Sequence, residues 1–117
     1  MGNKIIPYLE KIVSLLIKDT EYKVFGTIAD GFVIVNVNIW FPMYPDNGYT
    51  YTMAEIYDWS INPLWEHIGT DDIEYFENYY GLTRDETKIV LGMYLGKFTP
   101  IVYSEMKKYE NKLLNDR

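Results

Sequence analysis

Apolar positions open the chain at helical spacing. Ile5, Leu9, Ile12, Val13 and Leu16 recur every three or four residues, while Lys4, Lys11 and Lys18 recur every seven on the opposite side. The pattern predicts an amphipathic helix over residues 4–18, with Pro7 tolerable in or near its first turn. The period then changes. Val33, Val35, Val37 and Ile39 alternate with Phe32, Ile34, Asn36, Asn38 and Trp40, the period of a strand with its valines turned to a core. Tyr22 to Ile28 and Phe32 to Phe41 flank Ala29-Asp30-Gly31, where a glycine can take the positive φ of a hairpin turn. Pro42 to Gly48 breaks the sheet, and Tyr49-Thr50-Tyr51 returns as a third strand.

Beyond this point the punctuation is helical. Thr52 to Glu55 has capping-box spacing and opens a short helix towards Trp59, although the alternation of Tyr49, Tyr51 and Met53 also admits a longer strand over 49–61. Asn62-Pro63 reads as a cap leading into Leu64 to His67. Thr70 caps a helix from Asp71 to Tyr80 that Gly81 ends. Thr83-Arg84-Asp85-Glu86 is a second capping box, starting a helix through Lys97. Thr99-Pro100 begins a last helix, with Val102, Met106, Tyr109 and Leu113 on one face. Gly92 and Gly96 share a face with Ile89 and Met93, and tight internal packing is the expected compensation for two helical glycines, ahead of a dimer seam. The order predicts one α+β domain over residues 1–117: an N-terminal helix, a small antiparallel sheet of about three strands, then several helices packed on it. A chain of 117 residues with 48% hydrophobic content can bury a core of that kind.

Charge changes the picture. Val24 to Thr83 contains no lysine or arginine and nine carboxylates, against a net charge of −6 for the whole chain. Fourteen of the twenty aromatic residues fall in the same stretch. An acidic balance argues against direct binding of nucleic acid, whose phosphates need clustered cations, and favours a basic protein partner. Cysteine is absent, so disulfides and thiolate metal sites are excluded. Apolar runs fall short of a membrane helix and no signal segment opens the chain; a cytoplasmic protein is expected, in the host cytoplasm if it is viral.

Candidate chemistry is sparse. His67 is the sole histidine, serines stand only at 14, 60 and 104, and no phosphate loop or nucleophile motif occurs. His67, Asp71 and Glu74 have metal-ligand spacing, but Gly69-Thr70 breaks the helix that would align them. Glu55 with Asp58, or Asp71 with Glu74, could do acid–base work, as pairs on any acidic helix could. No cofactor is expected.

The segment Asp71 to Tyr80 is the most informative. Ile73, Phe76 and Tyr80 form an apolar stripe, with Asp71, Glu74 and Glu77 opposite and Asp72 a fourth carboxylate in the first turn. Like charges three residues apart each cost about 0.2–0.5 kcal/mol, which the helix dipole offsets in the first turn but not at Glu77. At roughly 1.5 Å per residue the four carboxylates present one charge per ~4 Å. A single DNA strand presents one per ~3.4 Å, and a duplex would need Glu55, Asp58 and Glu66 as a second row. Trp40, Phe41 and Tyr44, beside two prolines, suit either a contact patch or a cover for the sheet edge. The expectation is a small acidic, non-enzymatic inhibitor that binds a basic protein through Glu55, Asp58, Glu66, Asp71, Asp72, Glu74, Glu77, Trp40 and Tyr44. Its charge logic is that of the phage and mobile-element proteins that block the nucleic-acid-binding surfaces of CRISPR and restriction enzymes. The alternatives are an immunity protein against a toxin enzyme, a small carboxylate- or metal-dependent enzyme, and a structural subunit.

Overall fold

The computed structural model describes residues 2–42, 46–61 and 70–116. Helix α1 (Gly2–Asp19) buries Leu9, Ile12, Val13 and Leu16, the positions its periodicity selects. Pro7 lies in its second turn. Thr20 ends the helix by folding its hydroxyl back onto the Leu16 carbonyl, 2.6 Å away.

Strands β1 (Glu21–Ala29) and β2 (Phe32–Trp40) pair antiparallel with Ala29 opposite Phe32, leaving Asp30 and Gly31 as a two-residue turn. Their φ values of 52° and 82° are both positive, the signature of a type I′ turn whose twist matches the strands it joins. Strand β3 (Tyr49–Thr52) pairs antiparallel with β2, giving the order β1-β2-β3 with β2 central. Val35, Val37 and Ile39 are buried, so the strand alternation selects the correct inner face. The other face is open: Phe32 is 72% exposed and Ile34 44%.

Thr52 and Glu55 form a reciprocal capping box, with Glu55 N donating to Thr52 Oγ1 at 3.1 Å and Thr52 N donating to Glu55 Oε1 at 2.9 Å. This opens α2 (Met53–Ile61) and settles 53–61 as helix rather than strand. The cap read at Asn62-Pro63 lies outside the described residues. Helix α3 (Thr70–Tyr80) ends at Gly81, whose φ of 66° is the left-handed stop expected of it.

The capping box at Thr83 is also present, but the helix it starts does not stop at Lys97. Helix α4 runs unbroken from Arg84 to Asn115 with Pro100 inside it. Thr99 is not a cap: its buried hydroxyl bonds back to the Leu95 carbonyl at 2.7 Å, an interior helical contact. Burial carries the helix through the proline, because Leu95, Phe98, Thr99, Val102 and Met106 continue one face into the core. Pro100 sits on the exposed side, where the Gly96 carbonyl it leaves without a helical donor can meet water.

Helix α4 is the scaffold, with α1, α2, α3, β1 and β2 all packed against it. The result is a two-layer α+β fold, with helices on one face of a three-stranded antiparallel sheet. At roughly 1.5 Å per residue, 32 residues make α4 about 48 Å long, which accounts for extents of 55 × 27 × 22 Å.

The packing expected of both helical glycines fails at Gly96. A Cβ built there would meet nothing within 4 Å, and Ile89 on the same face is 51% exposed.

Candidate protein-binding surface

Helix α3 turns Phe76 fully into the core, with Ile73 and Tyr80 half-buried beside it, as its apolar stripe requires. Leu82 anchors the following turn, and the Tyr8 hydroxyl of α1 donates to the Tyr80 carbonyl at 3.2 Å. The helix is thus held between the start of α4 and α1. Glu74 is left exposed on its outer side, with Asn78 one turn on. Asp71 and Asp72 lie in the first turn of α3, where the helix dipole favours a carboxylate.

Glu77 behaves differently from its neighbours. It is half-buried, and Arg84 Nε donates to its Oε1 at 3.3 Å. The lysine-free stretch therefore borrows a cation from the next element, across the Gly81 turn. With the guanidinium side 56% exposed, the pair contributes between about 0 and 1 kcal/mol to stability, yet it removes one charge from the acidic stripe.

Aromatic rings flank the carboxylates. Tyr75 and Tyr79 stack with centroids 5.4 Å apart and planes 10° from parallel, and Tyr79 is 69% exposed. Burial, then Tyr79, then Asp19 raise the Tyr75 pKa above its ordinary value. Asp19 of α1 is the last and smallest contributor to the rise at both Tyr75 and Tyr80. Sequence reasoning omitted both Tyr79 and Asp19. A helical projection could have found Tyr79, whereas the influence of Asp19 comes from a different element.

The other acidic residues are placed elsewhere. Glu55 is engaged in the α2 capping box, and Asp58 is exposed on the same helix. Helix α2 is anchored on β3 and on the middle of α4, where Tyr57 and Tyr103 lie 5.4 Å apart. The two acidic helices thus rest on different parts of the scaffold. Glu66 and Tyr44 lie outside the described residues. Trp40 is half-buried on the outer sheet face, its indole packed so closely on Gly48 that a Cβ there would collide with the ring. Phe41 turns inward instead, meeting Tyr51, which in turn sits 4.2 Å from Trp59. Trp40 and Phe41 therefore form no single patch.

The metal-site alternative can be checked only among the described residues. No group of three or more histidines and carboxylates is close enough to hold a metal ion there, and His67 lies outside them. An open groove of about 350 Å³ separates β1 from the C-terminal half of α4, lined by Tyr22, Val24, Glu105, Lys108, Tyr109 and Lys112. Its one carboxylate, Glu105, accepts from Lys108 at 3.3 Å, so it supplies no carboxylate pair. No described helix is long and apolar enough to cross a membrane. In comparisons with known proteins, no family model, no curated protein and no solved structure matches the chain.

Proposed function

We propose that this chain is a non-catalytic binding protein of the cytoplasm that covers a basic surface of another protein, with nucleic-acid-handling enzymes the leading class of partner. The observation that supports this reading is the outer side of α3. Glu74 is exposed beside the stacked Tyr75 and Tyr79, on a helix with no basic residue of its own. Carboxylates steer a basic partner to the face, and an exposed tyrosine supplies rigid contact area once it arrives. Arg84 restricts the acidic row at Glu77, so Glu74, with Asp71 and Asp72 in the first turn, carries the attraction.

Lysine at Asp71, Glu74 and Glu77 together changes the local charge by six units and leaves Ile73, Phe76 and Tyr80 to hold the helix. The parent and this variant serve as paired baits in a cell lysate, and a protein retained by the parent alone is then purified. Its complex should form more slowly as salt rises, because steering is screened beyond about 10 Å at 0.1 M. Nucleic acid bound by that partner should compete with the parent at fixed salt. If the variant folds, binds and competes as the parent does, the acidic side of α3 only confers solubility.

A further inference from the structure

Among the described residues, a second partly open surface is the outer face of α4, along which Gly92, Met93 and Tyr103 are half-buried. At 100° per residue, Asp85, Ile89, Gly92, Met93, Gly96, Pro100, Tyr103 and Lys107 fall on one side of the helix, opposite the buried Val90, Leu91, Tyr94, Phe98 and Val102. Between Asp85 and Lys107 this stripe carries no charge. Ile89 is 51% exposed, Gly96 and Pro100 are exposed, and a Cβ at Gly96 would meet open space. Tyr57 of α2 leans on Tyr103 and is itself 50% exposed, which widens the face.

We propose that this face is a homodimer interface, in which α4 packs antiparallel on α4 of a second copy about a two-fold axis at Gly96. The sequence along the stripe is self-complementary about that point. Asp85 and Lys107 lie eleven residues before and after Gly96, so each carboxylate meets the ammonium of the other copy. Ile89 and Tyr103 lie seven residues before and after it, placing an aliphatic side chain against a ring. Gly92 and Pro100, four residues either side, pair a residue without a side chain with one that has a compact ring. Gly96 meets itself, where the absence of a Cβ leaves room at the axis for the two backbones and for the water that the Gly96 carbonyl needs.

A two-fold interface demands this property, since the same patch must complement itself. The parallel arrangement fails the test because it sets Asp85 beside Asp85 and Lys107 beside Lys107. The stripe spans the 23 residues from Asp85 to Lys107, roughly 33 Å of helix at 1.5 Å rise per residue. In the single chain Lys107 donates to Glu110 at 3.1 Å, and in the dimer it lies between Glu110 and the Asp85 of the other copy.

The test is the oligomeric state of the full chain by sedimentation velocity across a concentration series, with circular dichroism to confirm that each variant folds. The parent should show a concentration-dependent dimer. Asp85→Lys and Lys107→Asp should each weaken it on the order of tenfold or more, since each creates two like-charge contacts. The double variant D85K/K107D should recover most of the parent's association. Gly96→Arg, on an exposed face, should fold and stay monomeric. A parent that is monomeric throughout the series overturns the proposal. So does a dimer that the single charge reversals leave intact or that the double variant fails to restore, because its seam would lie elsewhere.

Discussion

The phenol of Tyr94 and the hydroxyl of Thr20 are hydrogen-bonded at 2.5 Å in the buried seam between α1 and α4. Thr20 gives its own proton to the Leu16 carbonyl, so Tyr94 is the donor of the pair. The phenol is deeply buried, and burial raises its pKa despite the opposing contribution of the Thr20 bond. One threonine thus ends α1 and satisfies the largest buried polar side chain of α4. Thr20→Val should cost about 1–3 kcal/mol, because it strands a buried hydroxyl, whereas Tyr94→Phe should cost about 1 kcal/mol. Urea unfolding of the two variants checks the order; equal costs would show that water reaches the phenol.

Alkaline stability follows from a second tyrosine. Burial, with smaller contributions from Tyr49 and Glu55, pushes the Tyr51 pKa up from 10.0 to about 12. Between these values the unfolded chain has released a proton that the folded chain retains. The stability associated with the neutral phenol is therefore complete below about pH 10 and is lost as pH rises towards about 12. Denaturation midpoints measured at about pH 9 and about pH 11 should differ more for the parent than for Tyr51→Phe. An identical drop in both would assign the loss to other groups.

Gly26 sits where β1 passes under α4. A Cβ there would run into the Ile34 carbonyl oxygen of β2 and come within 3.2 Å of both the Tyr109 ring and the Val35 Cα. Two of these neighbours are backbone of the paired strand and cannot rotate away. Gly26→Ala should destabilise by roughly 1–3 kcal/mol and broaden the amide resonances of β1 and β2. A variant as stable as the parent would mean that the hairpin can separate from Tyr109 at little cost.

Pro100 and Gly96 can be tested together. Pro100→Ala restores a donor to the Gly96 carbonyl and should stabilise the monomer by about 1–3 kcal/mol, partly offset by the freer unfolded chain. Gly96→Ala should add roughly 1 kcal/mol, since its Cβ has open space. If Gly96→Ala instead destabilises the parent but not Pro100→Ala, the glycine relaxes the helix around the proline ring.

Local chemistry was the most legible part of the fold. Both capping boxes, the Asp30-Gly31 turn and the inner face of β2 were readable because each depends on residues within a few positions of one another. Pro100 misled because a preceding threonine and a proline also mark a helix start. Only the continuous burial of Leu95, Phe98 and Val102, a tertiary property, overrides that signal. In the candidate surface, the apolar stripe and exposed Glu74 of α3 were readable from helical periodicity. The Arg84–Glu77 pair was not, as it depends on how separate elements meet. Trp40 and Phe41 are adjacent in sequence and occupy opposite sides of a sheet, which composition alone does not register.

Helix α4 follows in the chain the elements that rest on it, which sets the order in which they can be completed. Residues ahead of Arg84 include the apolar faces of α1, β2, α2 and α3, and all of these rest on or beside α4. At about 5–20 residues per second, a ribosome takes roughly 2–6 s to add the 32 residues of α4. Throughout that interval the nascent chain displays Leu9, Val37, Ile56 and Phe76 without the partner that shields them. A stop codon or protease cut shortly before Arg84 would release a fragment with every strand of the sheet and no scaffold, a species prone to aggregation or capture by chaperones.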